Sequence, residues 1–243
     1  MEHLHWIINS EALAGINPMF AEVHVDTLIM VWAVMALILA IAWIGTRQLR
    51  VIPSTGQVWT EGVYDFCRSI TMSTAGPRGD GFLFFIGSLF LFIWVSNLAG
   101  QLPLKAMSLP EAAGGAHLSA STGDFNTPAA LALLTLVMYF AVGIKKKGLR
   151  YFKHYISPDP WYIGIFFLPL NILEDFTRPG SLMIRLFFNI LVGHILMGIA
   201  HAMMPFVLPI MVTFLELFVA TVQAYIFAIL SSVYISLMSE DHH

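Results

Sequence analysis

T-L-I-M-V-W-A-V-M-A-L-I-L-A-I-A-W-I-G-T, residues 27–46, runs for twenty positions without one charged side chain. An α-helix rises about 1.5 Å per residue, so a run of this length covers the roughly 30 Å hydrocarbon core of a bilayer. The whole chain shares this character. Of its 243 residues, 58% are hydrophobic and 11% charged, where a soluble domain is roughly half apolar and about a quarter charged. The expected class is an all-α polytopic membrane protein, with residues 1–243 forming a single membrane domain.

Downstream, Phe82–Leu98 and Pro128–Ile144 are a second and a third span. From Trp161 to Leu237 the chain is apolar almost throughout, and Met203-Met204-Pro205 divides it into two long helices, 161–237 being their hairpin. That makes about five membrane-embedded helices. Residues 56–75 are too polar to span. Trp59, Val63, Phe66 and Ile70 share one helical face, the pattern of an amphipathic helix lying on the membrane surface or, equally, of a loop helix packed on the protein.

Basic residues set the orientation. Arg47, Arg50, Arg68 and Arg78 follow the first span, and Lys145, Lys146, Lys147, Arg150 and Lys153 follow the third, while residues 99–127 hold only Lys105. The positive-inside rule then puts 47–80 and 145–160 in the cytoplasm. The second and third spans make a hairpin, 82–144, with an external loop. Residues 1–26 contain no Lys or Arg but do contain Glu2, Glu11, Glu22 and Asp26. That is not the basic start of a cleavable signal, so this segment is expected to be retained and external. A formal net charge of -3 argues against nucleic acid as a main partner. Cys67 is the sole cysteine, which leaves it a packing role and excludes an internal disulfide.

Ionisable residues at membrane depth cost about 2.5–3.5 kcal/mol each on insertion scales, so they are the functional candidates. The last third of the chain carries Glu174, Asp175, Arg178, Arg185, His194, His201 and Glu216, with the neutral polar Asn171, Asn189 and Gln223. Arg178 has acids within one helical turn and reads as a local ion pair beside the Pro179-Gly180 bend. Arg185 has none. Ser181 and Asn189 lie one turn to either side of it and can orient its guanidinium, which stays charged in proteins. Such a cation must face water or a visiting anion, or else pair with a buried Glu216. Arg185 and Gln223 are equidistant from Met204, so a hairpin puts them at one depth, with His194 and Glu216 nearly level nearer the outside. Glu216, Gln223 and Tyr234 share a face of the last helix. Arg185 and His194 are half a turn out of phase, so either the helix is bent or overwound or the two serve different surfaces; the favoured reading is the second, with Arg185 toward a partner and His194 toward an internal aqueous path. His194 and His201 lack a third ligand, so no metal is expected.

These blocks together resemble subunit a of the F-type ATP synthase, the membrane stator subunit of its proton channel. The resemblance rests on R-P-G-S-L-M-I-R-L-F-F-N-I-L-V-G-H at 178–194 and E-L-F-V-A-T-V-Q-A-Y-I-F-A-I-L-S-S-V-Y-I-S at 216–236, with S-N-L-A-G-Q-L-P at 96–103 and G-D-F-N-T-P at 123–128. It implies that Arg185 faces a ring of c subunits, with Gln223 beside it and Ser181 and Asn189 flanking it. It implies that His194 and Glu216 line an ion half-channel, in the order found in mitochondrial members. Asn97, Asp124 and Asn126 match polar positions at the outer inlet, and Glu174, Asp175 and Tyr234 are further entry-channel candidates. The last two helices are expected to tilt along the ring.

The implied function is to pass protons through two half-channels to and from ring carboxylates, coupling ion flow to rotation and ATP synthesis. The implied partners are the c-ring, peripheral-stalk b subunits, the rest of the complex and the lipid bilayer. No catalytic residue and no cofactor are expected, since the chain has no G-x-x-x-x-G-K-[ST] phosphate loop. The location expected is a bacterial inner membrane, or alternatively the mitochondrial inner membrane. Rival readings are a transporter or channel for a small anionic solute, and a purely structural membrane subunit.

Overall fold

The computed structural model describes residues 25–47, 51, 53–101, 125–147, 161–204 and 207–239. Among them are six α-helices and no strand: α1 (Val25–Thr46), α2 (Thr55–Ala75), α3 (Leu83–Gln101), α4 (Asn126–Lys147), α5 (Trp161–Met203) and α6 (Val207–Ser239), with a 3-10 turn at Gly76–Gly81. Five stretches are long and apolar enough to cross a membrane: Thr27–Thr46, Leu83–Gln101, Asn126–Lys145, Leu173–Met203 and Val207–Leu237. They are the spans expected from hydropathy, with the final hairpin turning after Met203. Most of the N-terminal segment expected to be external, the bulk of the 99–127 loop and the basic stretch at 148–160 lie outside the described residues.

Helix α6 is the centre of the packing. It lies most extensively against α3 and packs in turn on α5, α2 and α4. Leu83, Ile86, Leu89, Phe90 and Ile93 of α3 meet Leu182, Leu186 and Ile190 of α5 and Ala224, Phe227, Ala228 and Ile235 of α6 in one buried cluster. The inward stripe of α6 is built largely from small side chains, Ala220, Ala224, Ala228, Ser231 and Ser232. Lipid supplies little hydrophobic drive between helices, so close approach over small residues is what holds such packing together. Trp94 Nε1 donates to Thr221 Oγ1 at 3.2 Å and pins α3 to α6 in antiparallel register.

Leu173–Met203 contains 31 apolar-rich residues, about 46 Å of helix at 1.5 Å per residue, against a core about 30 Å thick. A surplus of that size is taken up by tilting, kinking or local thickening of the bilayer, and α5 runs as one continuous helix through Pro179 and Gly180.

Helix α2 is amphipathic, and its two halves differ. Cys67, Ile70 and Thr71 are buried, Val63 packs against the core, and Phe66 stacks obliquely on Phe90 and Tyr225, with ring centroids 5.3 and 5.9 Å away. Trp59, on the same face, stays 74% exposed. The apolar face is thus shared between the protein and its surroundings. Burial pushes the Cys67 thiol pKa up and leaves it inert. At the end of α1, the Arg47 guanidinium lies 5.1 Å from the Trp43 ring centroid, an arrangement suited to the membrane interface.

The turn after α2 depends on two glycines. Gly76 ends the helix with φ of 58°, in the region that favours a residue without Cβ. Gly79 packs on α2 itself, where a Cβ would fall 2.6 Å from the Thr71 carbonyl oxygen and 2.8 Å from its carbon. Backbone cannot swing away, so Gly79→Ala is expected to cost about 1–3 kcal/mol. A lower midpoint for loss of helical circular dichroism in detergent checks this, with Gly81→Ala, which meets nothing within 4 Å, as the neutral control.

Candidate functional site

At 3.6 residues per turn, the inward stripe of α5 runs through Asp175, Pro179, Leu182, Leu186, Ile190, Gly193 and Ala200, all buried. The remaining polar residues fall on its two flanks. Ser181, Arg185 and Asn189 follow one flank. His194 and His201 follow the other, roughly half a turn away from Arg185. The phase difference expected from a nine-residue spacing is therefore present, and it straddles the seam with α6.

Arg185 is exposed, and among the described residues no hydrogen bond or ion pair is made by its guanidinium. Ser181 is exposed and Asn189 half-buried. Around them stand the exposed side chains of Ile184, Phe188 and Val192. A fixed cation is thus presented on a helix flank whose other side chains are uncharged, without a counter-charge from the described part of its own chain. It is not paired with Glu216, which lies in the seam.

Arg178 has the opposite environment. It pairs with Glu174 one turn earlier and lies 5.6 Å from the Tyr234 ring centroid. Next to it Tyr139 of α4 donates a 2.5 Å hydrogen bond to Oδ1 of the buried Asp175. Thr135, Leu136, Tyr139, Asp175, Arg178, Pro179 and Tyr234 line one small cavity where α4, α5 and α6 meet. Tyr234 shares the face of Gln223 and Glu216, yet eleven residues of helix, about 16 Å, separate it from Gln223. Its polar neighbours are Arg178 and this cavity. The bend proposed at Pro179 is not a break, since the helix continues through it.

A third polar group lies toward the other end of the hairpin. Glu216 is only 7% exposed. Its carboxyl rests on Gly193 of α5, where a Cβ would meet Oε1 at 2.8 Å, and the Gln101 side chain at the end of α3 lies beside it. Oε1 itself is buried with no hydrogen-bond partner among the described residues. His194 follows Gly193 immediately. Asn97, one turn before Gln101, is buried, and Asn126 is exposed at the start of α4. Asp124 lies outside the described residues. Gln223 is buried in the α6 stripe, and its Nε2 finds no partner among the described residues.

Three contributors were not singled out from the sequence. Gln101 sits within the quoted S-N-L-A-G-Q-L-P and shares a face with Asn97, a signal that an i, i+4 reading of α3 would have raised. Tyr139 is one aromatic in an apolar span, and only its partner Asp175 gives its hydroxyl meaning. Gly193 contributes by having no side chain, which no periodicity reveals.

The hairpin thus holds a solitary exposed cation, a compensated cluster at one end and a buried acid beside a histidine at the other, on five spans. Comparison with known families gives a match over residues 28–236 to the one described as ATP synthase A chain. That match takes in all three polar groups and all but the outermost residue of the first and last spans, and the chain accordingly belongs to the ATP synthase A chain family, the membrane proton-channel subunit of the ATP synthase complex.

Proposed function

We propose that this chain is the static half of the ATP synthase membrane motor, and that its two polar clusters mark two aqueous half-channels separated by Arg185. The group at Asn97, Gln101, His194 and Glu216 serves the outer path. The group at Tyr139, Glu174, Asp175 and Tyr234 serves the inner one. A carboxyl on a neighbouring ring subunit is neutral while it faces lipid, because a charge there is unfavourable. Beside Arg185 the charged form is favoured and the proton leaves. Each proton crossing releases about 2.3 kcal/mol per 100 mV, which the ring takes up as rotation. Peripheral-stalk b subunits hold the chain against that torque.

The observation that carries this reading is Arg185, a cation with no described partner on an exposed apolar flank. A guanidinium in that position needs an anion that comes and goes. A cysteine at Ser181, on the Arg185 flank, is expected to cross-link to a cysteine-bearing ring helix in the assembled complex. A cysteine at His194, on the opposite flank, is expected to give no such product and to react with water-soluble thiol reagents. Equal cross-linking from both flanks would refute the division of the helix into a rotor side and a water side.

A further inference from the structure

Two acids and one arginine share a single stretch of α5, and the fold does not treat the acids alike. Glu174 and Asp175 stand four and three residues before Arg178, so both are within helical reach of its guanidinium. Arg178 pairs with Glu174, whose side chain is 60% exposed. Asp175 is buried, and its Oδ1 accepts a 2.5 Å hydrogen bond from the Tyr139 hydroxyl of α4. The two partners differ in chemistry. A guanidinium only donates and keeps its charge, so it holds a carboxylate in the ionised form. A phenol hydroxyl can donate to a carboxylate and accept from a carboxylic acid, so it satisfies a buried acid in both protonation states. Tyr139, Asp175, Arg178 and Tyr234 all line the small cavity between α4, α5 and α6, so Asp175 borders open space rather than solid packing.

We infer that the two acids have separate tasks on the inner path: Asp175 carries the proton, Glu174 occupies Arg178, and Tyr139 is the positioning residue that keeps Asp175 off the cation. This rests on the reading of that cluster as the inner half-channel. In the step itself, a hydronium ion formed from a ring carboxyl's proton protonates the Asp175 carboxylate, leaving water and a neutral acid. The new O–H bond then breaks to a water on the inner side, which leaves as hydronium, and the carboxylate is restored. Bound to Arg178 instead, Asp175 would stay ionised and the first of these bonds would form less readily.

The test is proton-driven ATP synthesis by the whole complex in vesicles, normalised to assembled complex. Asp175→Asn keeps an oxygen that accepts from Tyr139 but cannot titrate, and it is expected to slow synthesis about tenfold or more, the scale of one charge-assisted hydrogen bond. A wild-type rate in that variant overturns the reading of this cluster as the inner path, and this inference with it. Tyr139→Phe removes only the hydroxyl and is expected to cost roughly three- to tenfold, the scale of one hydrogen bond, with little further loss when added to Asp175→Asn. The same fold-loss in both backgrounds would mean that Tyr139 merely staples α4 to α5. A normal rate for Tyr139→Phe beside an impaired Asp175→Asn would overturn the positioning role and leave the inner path standing. Glu174→Gln frees Arg178 to capture Asp175, so it too is expected to be slow, and adding Arg178→Gln is expected to restore most of the rate. Glu174→Gln equally slow with and without Arg178→Gln would overturn the separation of tasks, whether or not the Tyr139 variant assembles.

Discussion

Replacing Arg185 by alanine is expected to reduce proton-driven ATP synthesis to below about a hundredth of wild type while passive proton leak through the membrane sector continues. The magnitude follows from electrostatics. Two unit charges about 4 Å apart interact by about 4 kcal/mol at an effective dielectric constant near 20, roughly three pKa units for the visiting carboxyl. Without the cation, the ionised-to-neutral ratio of ring carboxyls at the stator falls by about a thousandfold at fixed pH. On the proposed reading, the barrier between the two half-channels disappears at the same time. The fold has no reason to suffer, because Leu182 and Leu186, on the buried stripe, carry the packing of that turn while Arg185 stays exposed. Arg185→Lys is expected to fall between the two, since an ammonium keeps the charge but not the planar fork of donors. ATP synthesis in vesicles under an imposed proton gradient, together with dye-monitored leak, checks all three proteins. Normal synthesis by the alanine variant would remove the cation from the mechanism.

The contrast between Arg185 and Arg178 measures how far the sequence could be read. Both arginines sit in the same apolar stretch, seven residues apart. The sequence distinguished them because Glu174 lies one turn before Arg178, and helical neighbours three or four residues apart touch. The salt bridge confirms that local inference. The five spans were legible for a similar reason, since a bilayer imposes a length that hydropathy counts directly. What was illegible depends on contacts between distant parts of the chain. Tyr139 reaches Asp175 across 36 positions, and Gln101 reaches Glu216 from another helix. Period and propensity report only what lies on one element. The amphipathic helix shows the same limit: its apolar face was visible, but Ile70 is enclosed by protein and Trp59 is not, and only the neighbouring helices decide which.

Exchanging the identities of His194 and Glu216 in one protein is expected to preserve more activity than either exchange alone. His194→Glu leaves two acids on the outer path, and their mutual repulsion disfavours having both charged. Glu216→His leaves two imidazoles, whose protonated forms repel likewise. Each single variant is expected to lose roughly tenfold or more, given that a unit charge misplaced in a low-dielectric site is worth at least one or two pKa units. The double exchange restores one acid and one histidine, both able to titrate across the working range. The surroundings of position 216 permit the change. Gly193 offers no side chain to clash with an imidazole. At position 194 the side chain is exposed. ATP synthesis rates of the three variants, normalised to the amount of assembled complex, give the answer. A double variant no faster than the worse single one would mean that the two residues do not work as a pair.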